Sequence, residues 1–161
     1  MRLLMGKDPL VAEWVRRRIP HMTHSKGFGQ CVAIGVINEA KSELVGGVVF
    51  HDYRQSVRSI EWSAASDQPN WLNVEIINQI MRYPFDQLNC VRITAIIPRR
   101  NKRSRAFQEK FGFRQEGLVR RGFGGDDACI YGLLASDWKK SRFNLRREVK
   151  AAPVIEDRQV A

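Results

Sequence analysis

The sequence predicts a mixed α/β fold, in which a mostly antiparallel sheet contains one parallel strand pair and carries helices on its faces. Two observations support this fold class. Residues 31–37 and 44–50 are runs rich in Val and Ile on either side of a short polar stretch, which is typical of an antiparallel hairpin. Between residues 59 and 97, a strand pattern, a helix pattern and a second strand pattern follow one another, and such a unit places its two strands in parallel.

The bulk composition is that of one soluble domain. The 161 residues suffice for a buried core, and we expect the domain to span residues 1–138. Apolar residues make up 43% of the chain, and no run approaches the roughly 18 apolar residues that a membrane span needs. The opening Met-Arg-Leu-Leu-Met gives way at once to Gly-Lys-Asp-Pro, which argues against a signal peptide.

The cysteines predict a reducing, cytoplasmic location. Each of the three lies in an apolar stretch, and none has the C-x-x-C spacing of a disulfide framework or a zinc site. We therefore expect buried thiols and no metal site. The three residues are Cys31, Cys90 and Cys129.

Net charge is the unusual bulk property. The chain has 27 Lys and Arg against 17 Asp and Glu, which gives a formal net charge of +10. Such a charge favours an anionic partner, and nucleic acid, a phosphorylated cofactor and an acidic protein surface all qualify. A basic surface that serves only to keep the protein in solution is the alternative.

A helix is predicted over residues 9–18, because apolar side chains recur there at helical spacing. Asp8 is placed to cap it ahead of Pro9 in the first turn, and Pro20 ends it. The polar, Gly-containing residues 21–30 are predicted to form a loop that leads into the first strand of the hairpin.

A third strand is predicted over residues 59–65, where apolar and polar side chains alternate. Glu61 falls on the polar face of this strand. A polar loop over residues 66–70 follows, and a wide apolar helical face then continues as far as Tyr83.

The next strand, over residues 90–97, stops at Pro98. Asn101 is placed to cap the helix that follows. Gly112 stands where the chain leaves that helix in a left-handed conformation, and Phe113 is positioned to fold back on the last turn.

The last predicted hairpin consists of residues 115–123 and 128–134 about a Gly-Gly-Asp-Asp turn. After Trp138 the composition changes, since residues 139–150 carry six basic residues and one acidic residue. We expect a short basic helix there and a disordered end to the chain, so that residues 139–161 form a basic, partly disordered tail.

Two predicted helices begin directly after strands, one near Asn70 and one at Asn101. A helix start presents unpaired backbone N–H groups and a partial positive charge, so it suits an anion. Both starts are expected beyond the carboxyl ends of parallel strands, where ligands of open α/β sheets lie. Coenzyme A and nucleic acid both fit the basic residues around the second start, which are Arg99, Arg100, Lys102, Arg103 and Arg105.

Residues 72–121, LNVEIINQIMRYPFDQLNCVRITAIIPRRNKRSRAFQEKFGFRQEGLVRR, resemble the central and C-terminal motifs of the GNAT acyltransferases. The likeness is greatest to the branch that includes the ribosomal-protein N-terminal acetyltransferases, and it covers about residues 44–138. It implies a GNAT-like sheet in which the parallel strand pair splays apart. The matching pieces are Asn101-x-x-Ser104, Glu109-Lys110-x-Gly112-Phe113 and Glu116-Gly117-x-x-Arg120, followed by a closing strand within residues 126–138.

The resemblance implies an N-acetyltransferase that moves an acetyl group from acetyl-CoA to a primary amine by direct attack. The amine would belong to a protein N-terminus, a lysine or a small molecule, and no metal would take part. We expect the protein to be a monomer or a homodimer. Acetyl-CoA would lie between the strands of residues 59–66 and 90–98. The implied cofactor-binding residues are Ser63, Ala64, Ala65, Gln68, Asn70, Trp71, Arg99, Arg100, Asn101, Arg103 and Ser104.

Three residues are candidates for proton transfer. Glu61 is our first choice for the base that keeps the amine neutral. Many family members carry a Tyr as the general acid, but Gln108 occupies that position here, so Ser104 or Tyr131 would have to replace it. His21, His24 and His51 are candidates by chemistry alone.

The loop at residues 68–73 departs from the family pattern. The family's Q/R-x-x-G-x-G/A loop lets backbone approach the diphosphate, but Trp71 and Asn73 occupy two positions of its small residues. The alternative function is therefore a catalytically degenerate GNAT-fold protein that binds nucleic acid, the ribosome or an acidic protein through its basic surface.

Overall fold

A seven-stranded sheet forms the centre of the protein in the computed structural model, which describes residues 1–146. Its strand order is β1-β2-β3-β4-β5-β7-β6, and all neighbouring strands are antiparallel except β4 and β5. The predicted mixed fold is thus confirmed. The elements are β1 Arg2–Leu4, α1 Asp8–Arg16, β2 Cys31–Asn38, β3 Glu43–Arg54, β4 Ser59–Ser66, α2 Val74–Arg82, β5 Arg92–Pro98, α3 Lys102–Lys110, β6 Arg114–Val119, β7 Ala128–Leu134 and α4 Ala135–Lys140.

The parallel pair β4–β5 is short. Its register runs only from Ser59, opposite Arg92, to Glu61, opposite Thr94. Within residues 1–146 the two strands make no further pairs, so their carboxyl ends diverge. The crossover helix α2 begins after Asn73, whose side chain accepts a hydrogen bond from the Ile76 amide at 2.8 Å.

Both faces of the sheet are covered by apolar side chains. On one face, α2 and α3 pack onto a core that includes Phe50, Trp62 and Ile93. On the other face, Val11 and Val15 of α1 are fully buried in a smaller cluster. Helix α1 packs mainly on β2, β3 and β4, so the divergence of β4 and β5 lies at the edge of this smaller layer.

Several predicted boundaries are wrong. The strand β1 was not expected, and it pairs with β2. Asp8 lies inside α1 and does not cap it, because its carboxylate accepts a hydrogen bond from the Ala33 amide at 2.7 Å. The strand predicted over residues 115–123 ends at Val119, because the chain turns at Arg121, which has a φ of 53°.

The basic segment after Trp138 is helical only as far as Lys140. The helix predicted over residues 139–150 is therefore wrong for residues 141–146, and its last four residues lie outside the described part of the chain. Phe143 packs against Phe111, and Asn78 of α2 donates a hydrogen bond to the Phe143 carbonyl. The domain division at residue 138 and the disorder of the chain end stay predictions.

Glu13 supplies a pH-dependent contribution to the stability of α1. Its carboxylate accepts hydrogen bonds from Arg16 and Arg17, which lower its pKa from an ordinary value of 4.5 to about 2. Because the folded state lowers this pKa, the contribution is complete above pH 4.5 and is lost as the pH falls through 2. We expect Glu13→Gln to lower the urea midpoint at pH 7, and the difference from wild type to shrink steadily towards pH 2.

The control for this measurement is Glu43→Gln, since Glu43 is exposed and makes no ion pair with the described residues. We expect its midpoint to match that of wild type at every pH. A Glu13→Gln difference that stays constant with pH would show that the carboxylate charge is not its source.

Candidate active site

A cleft of about 920 Å³ opens where β4 and β5 diverge. Residues 62–66 of β4 and 95–98 of β5 form its walls, and the first turns of α3 close one end. His21, from the turn after α1, and Phe123 also line the cleft, and their rings pack with centroids 4.5 Å apart. The cleft therefore reaches from α3, on one face of the sheet, to the loops beside α1.

The end of the cleft at α3 is positively charged. Arg100 and Arg103 line it beside the helix start, which adds a partial positive charge. The predicted cap is confirmed, because the Asn101 side chain accepts a hydrogen bond from the Ser104 amide at 3.0 Å. Asp126 lies at the same end and accepts a hydrogen bond from the Arg100 amide at 2.9 Å. This end of the cleft suits an anion.

Trp71 does not block the cleft. Its indole is only 3% exposed and stacks on Phe107, with ring centroids 5.9 Å apart and planes 12° apart. The six-membered ring of the indole lies over Gly46, where a Cβ atom would stand only 2.1 Å from Trp71 Cε3. The large side chain is accommodated because the facing strand has a glycine, so Trp71 forms part of the core and one wall of the cleft.

Gln108, at the position of the family tyrosine, is a buried polar residue in the cleft wall. Its Oε1 accepts a hydrogen bond from Trp62 Nε1 at 3.0 Å. Because an indole N–H can only donate, the amide oxygen must face Trp62, and the NH₂ group is left as a donor. Gln108 can therefore stabilise negative charge in the cleft, although it cannot release a proton.

Ser63 connects the cleft to a hydrogen-bonded histidine. Ser63 lines the cleft, and its Oγ lies 2.9 Å from His51 Nε2. The other ring nitrogen of His51, Nδ1, lies 2.5 Å from Asp52 Oδ2. Phe28 packs against the His51 ring at 5.1 Å. Sequence analysis identified His51 only by its chemistry, because nothing local to β3 indicates that its ring reaches Ser63 of β4.

The three proposed catalytic residues lie in different places. Ser104 lines the cleft, whereas the described lining residues do not include Glu61 or Tyr131. The carboxylate of Glu61 lies within 4.8 Å of the His51 and Asp52 side chains, and its burial, aided by the charge of Asp52, raises its pKa.

Tyr131 is fully buried on the side of α3 away from the cleft. Its hydroxyl donates to Glu109 Oε1 at 3.0 Å and accepts from Arg105 Nε at 3.1 Å. Burial raises its pKa. A hydroxyl that is engaged in this way has no contact with the cleft, so Tyr131 is not placed to act as the general acid.

Most of the predicted cofactor-binding residues line the cleft. The three that do not are Gln68, Asn70 and Arg99, and Arg99 instead pairs with Asp127 at 3.2 Å. The prediction that α2 begins near Asn70 is wrong, because Asn73 caps it. The residues that line the cleft are Ser63, Ala64, Ala65, Trp71, Arg100, Asn101, Arg103 and Ser104.

Comparison with known proteins identifies acetyltransferases among the relatives of this chain. The acetyltransferase (GNAT) domain model matches residues 6–114. The chain is 30% identical over 90 residues to YoaA, an uncharacterized N-acetyltransferase of Bacillus subtilis (strain 168). The aligned residues cover 54% of this chain and 51% of YoaA. It is 27% identical over 103 residues to YdaF of the same organism, a candidate ribosomal N-acetyltransferase. The aligned residues cover 60% of this chain and 56% of YdaF. The chain thus spans about half the length of these curated relatives.

Solved structures of similar fold include mutant forms of the spermidine/spermine N-acetyltransferase SpeG from Vibrio cholerae. One superimposes with a TM-score of 0.66 and 18% identity, covering 86% of this chain and 97% of SpeG. A dodecameric spermidine N-acetyltransferase from the same organism gives a TM-score of 0.59 and 21% identity, with coverage of 74% and 71%. At these identities the likeness concerns the fold.

None of the helices within residues 1–146 is long and apolar enough to cross a membrane. The sheet has the splayed parallel pair that the resemblance implied, and the family model matches more than half of the chain. The chain therefore belongs to the GNAT acetyltransferases, which use acetyl-CoA as their co-substrate.

Proposed function

We propose that this protein transfers the acetyl group of acetyl-CoA to a primary amine. The observation that carries this proposal is the cleft between the diverging ends of β4 and β5, which is lined by Arg100, Arg103 and the start of α3. Acetyl-CoA has an anionic diphosphate at one end and a neutral thioester at the other. The cleft accommodates this shape if the diphosphate lies at the α3 start and the thioester lies deeper, beside Ser63.

Binding in this orientation uses groups that the fold leaves available. Beyond Glu61, β4 has no β5 partner within the described chain, so its backbone groups on that edge are free to bind the pantetheine arm. The diphosphate would contact Arg100, Arg103 and the helix start, with Asn101 and Ser104 beside it. The residues of the altered loop, Gln68 and Asn70, would take no part.

Catalysis would rest on proximity and on stabilisation of charge. The amine attacks the thioester carbon directly once both are held in the cleft. Backbone donors of β4 would polarise the carbonyl, and the Gln108 NH₂ group would stabilise the departing thiolate. Ser104 remains the proposed acid, since it lines the cleft. Glu61 does not line the cleft, so it would act on the amine only through an intermediate group.

The acceptor we propose is an amine without further positive charge near it. SpeG, named for spermidine and spermine, shares only the fold. A polyamine carries several positive charges, which the net charge of +10 repels. A peptide N-terminus or a small monoamine fits better. The likeness to YdaF, a candidate ribosomal N-acetyltransferase, supports the proposal that this chain is related to the ribosomal-protein branch of the family. A monomer or homodimer remains our expectation, although one structural neighbour is a dodecamer.

The test combines binding and transfer with the full chain. We expect calorimetry to show micromolar binding of acetyl-CoA, and we expect free CoA to appear when N-terminal peptides, lysine peptides or monoamines are added. Spermidine should react more slowly than the peptides.

The second candidate function is favoured by the net charge of +10 and the altered loop. A degenerate protein would bind nucleic acid or an acidic protein through its basic surface. No binding of acetyl-CoA at millimolar concentration, together with salt-sensitive retention on RNA or DNA, would support that function and reject the transferase.

A further inference from the structure

We propose that Ser63, His51 and Asp52 form a proton relay that removes a proton from the acceptor amine in the cleft. The inference rests on the proposed transferase function, and it assigns the base of that reaction to residues on the strand pair β3–β4. A primary amine is mostly protonated at neutral pH, so one proton must leave before the nitrogen can attack.

The geometry supports a relay in one direction. A carboxylate can only accept, so the 2.5 Å contact with Asp52 requires a proton on His51 Nδ1. In the neutral ring this leaves Nε2 unprotonated, and Nε2 faces Ser63 Oγ at 2.9 Å. Ser63 can then donate its proton to His51 while it accepts one from a group in the cleft.

The backbone of β3 is shaped to bring these groups together. The β3–β4 register shifts between His51 and Arg54, and Asp52 within this bulge has a φ of 50°. A regular strand would point adjacent side chains to opposite faces of the sheet. The bulge instead lets the Asp52 carboxylate reach the His51 ring.

Several charged or ionisable groups surround His51. Two carboxylates face it, Asp52 from its own strand and Glu61 from β4, with ligand atoms within 4.8 Å. The positive charge of Arg54 offsets the negative charge of the two carboxylates only in part, because its guanidinium is largely exposed and lies 3.8 Å from the Glu61 carboxylate. On β2, Cys31 lies opposite His51, and burial, aided by Asp8, raises the pKa of its thiol, so the thiol stays neutral.

The proton balance is complete. The ammonium gives one proton to Ser63 Oγ as Ser63 gives its own to His51 Nε2. The free amine attacks the thioester carbon, a C–N bond forms and the C–S bond breaks. The second nitrogen proton reaches the departing thiolate through Ser104, which gives its hydroxyl proton to the sulfur and takes one from the nitrogen. CoA thus leaves as the thiol, and His51 returns the first proton to solvent.

The relay predicts a specific change in the pH dependence of acetyl transfer. His51→Gln and Ser63→Ala should each lower kcat/KM for the amine by about 10²-fold at pH 7. In His51→Gln the acidic limb of the kcat/KM profile should move to higher pH, towards the ionisation of the amine itself. Its acetyl-CoA affinity by calorimetry should stay within about threefold of wild type, because the ring does not line the cleft. His24→Gln, in an exposed loop, serves as the control and should retain the wild-type profile.

A second variant guards against misfolding of His51→Gln. Asp52 is 60% exposed, so Asp52→Asn should keep the fold and still shift the acidic limb by removing the carboxylate charge beside Nδ1. A wild-type profile in all three relay variants would overturn the relay, as would an acetyl group on Ser63 detected by mass spectrometry after incubation with acetyl-CoA. An inactive wild-type chain would overturn the transferase function itself, so the two failures are distinguishable.

Discussion

Replacing Arg100 and Arg103 together by Glu is expected to weaken acetyl-CoA binding by about 10²-fold or more, since each charge-assisted hydrogen bond to phosphate contributes roughly 1.5–3 kcal/mol. Both side chains line the basic end of the cleft beside the α3 start. The Glu side chains would also repel the diphosphate. The measurements are the Kd from calorimetry and the KM for acetyl-CoA at a saturating amine concentration.

The control must change the net charge equally without touching the cleft. Lys41→Glu with Lys139→Glu does so, because both lysines are exposed and neither lines the cleft or pairs with an acidic side chain within residues 1–146. We expect its Kd to stay close to that of wild type. Equal weakening in both double variants would show that the net charge, and not the α3 start, attracts the cofactor. An unchanged Kd in the cleft variant would place the phosphates elsewhere.

The fold could be predicted because its signals are local. Apolar periodicity located the hairpin of β2 and β3 and the strands β4 and β5. The capping residue Asn101 located the start of α3, where its side chain accepts a hydrogen bond from the Ser104 amide. The left-handed Gly112, with a φ of 94°, follows the end of that helix as expected. Each of these features depends on residues only a few positions apart.

The site could be predicted only in part, because its remaining features depend on residues far apart in sequence. Alternation placed Glu61 on the polar face of β4, but only the register with β3 shows that Glu61 lies opposite His51, whereas Ser63 of the same face lines the cleft. The bulge that directs Asp52 towards His51 has no local signal. From the sequence alone, Trp71 looked too large for the cleft. The residue that accommodates its indole, Gly46, lies 25 positions earlier in the chain and could not be identified locally.

The second large effect concerns the stability of the wall of the cleft. We expect Trp71→Ala to lower the free energy of unfolding by about 3–5 kcal/mol, because it removes a buried aromatic side chain and leaves a cavity over Gly46. Urea unfolding at pH 7 measures the loss. If Trp71 acts only as a core residue, the folded variant should keep its acetyl-CoA KM, whereas a direct contact with the ligand would raise it.

The contact between Trp71 and Gly46 can be tested by a double-mutant cycle. Gly46→Ala alone should lower stability by about 1–3 kcal/mol, because the three atoms nearest to the new Cβ all belong to Trp71, at 2.1, 2.6 and 2.8 Å. In the Trp71→Ala background the same methyl group enters the vacated space, so its cost should fall to near zero or become a gain. Gly117→Ala, whose Cβ meets no atom within 4 Å, is the matched control and should cost the same in both backgrounds. Additive effects of Gly46→Ala and Trp71→Ala would mean that the indole does not occupy the space above the glycine, and the account of how this cleft stays open beside so large a side chain would be wrong.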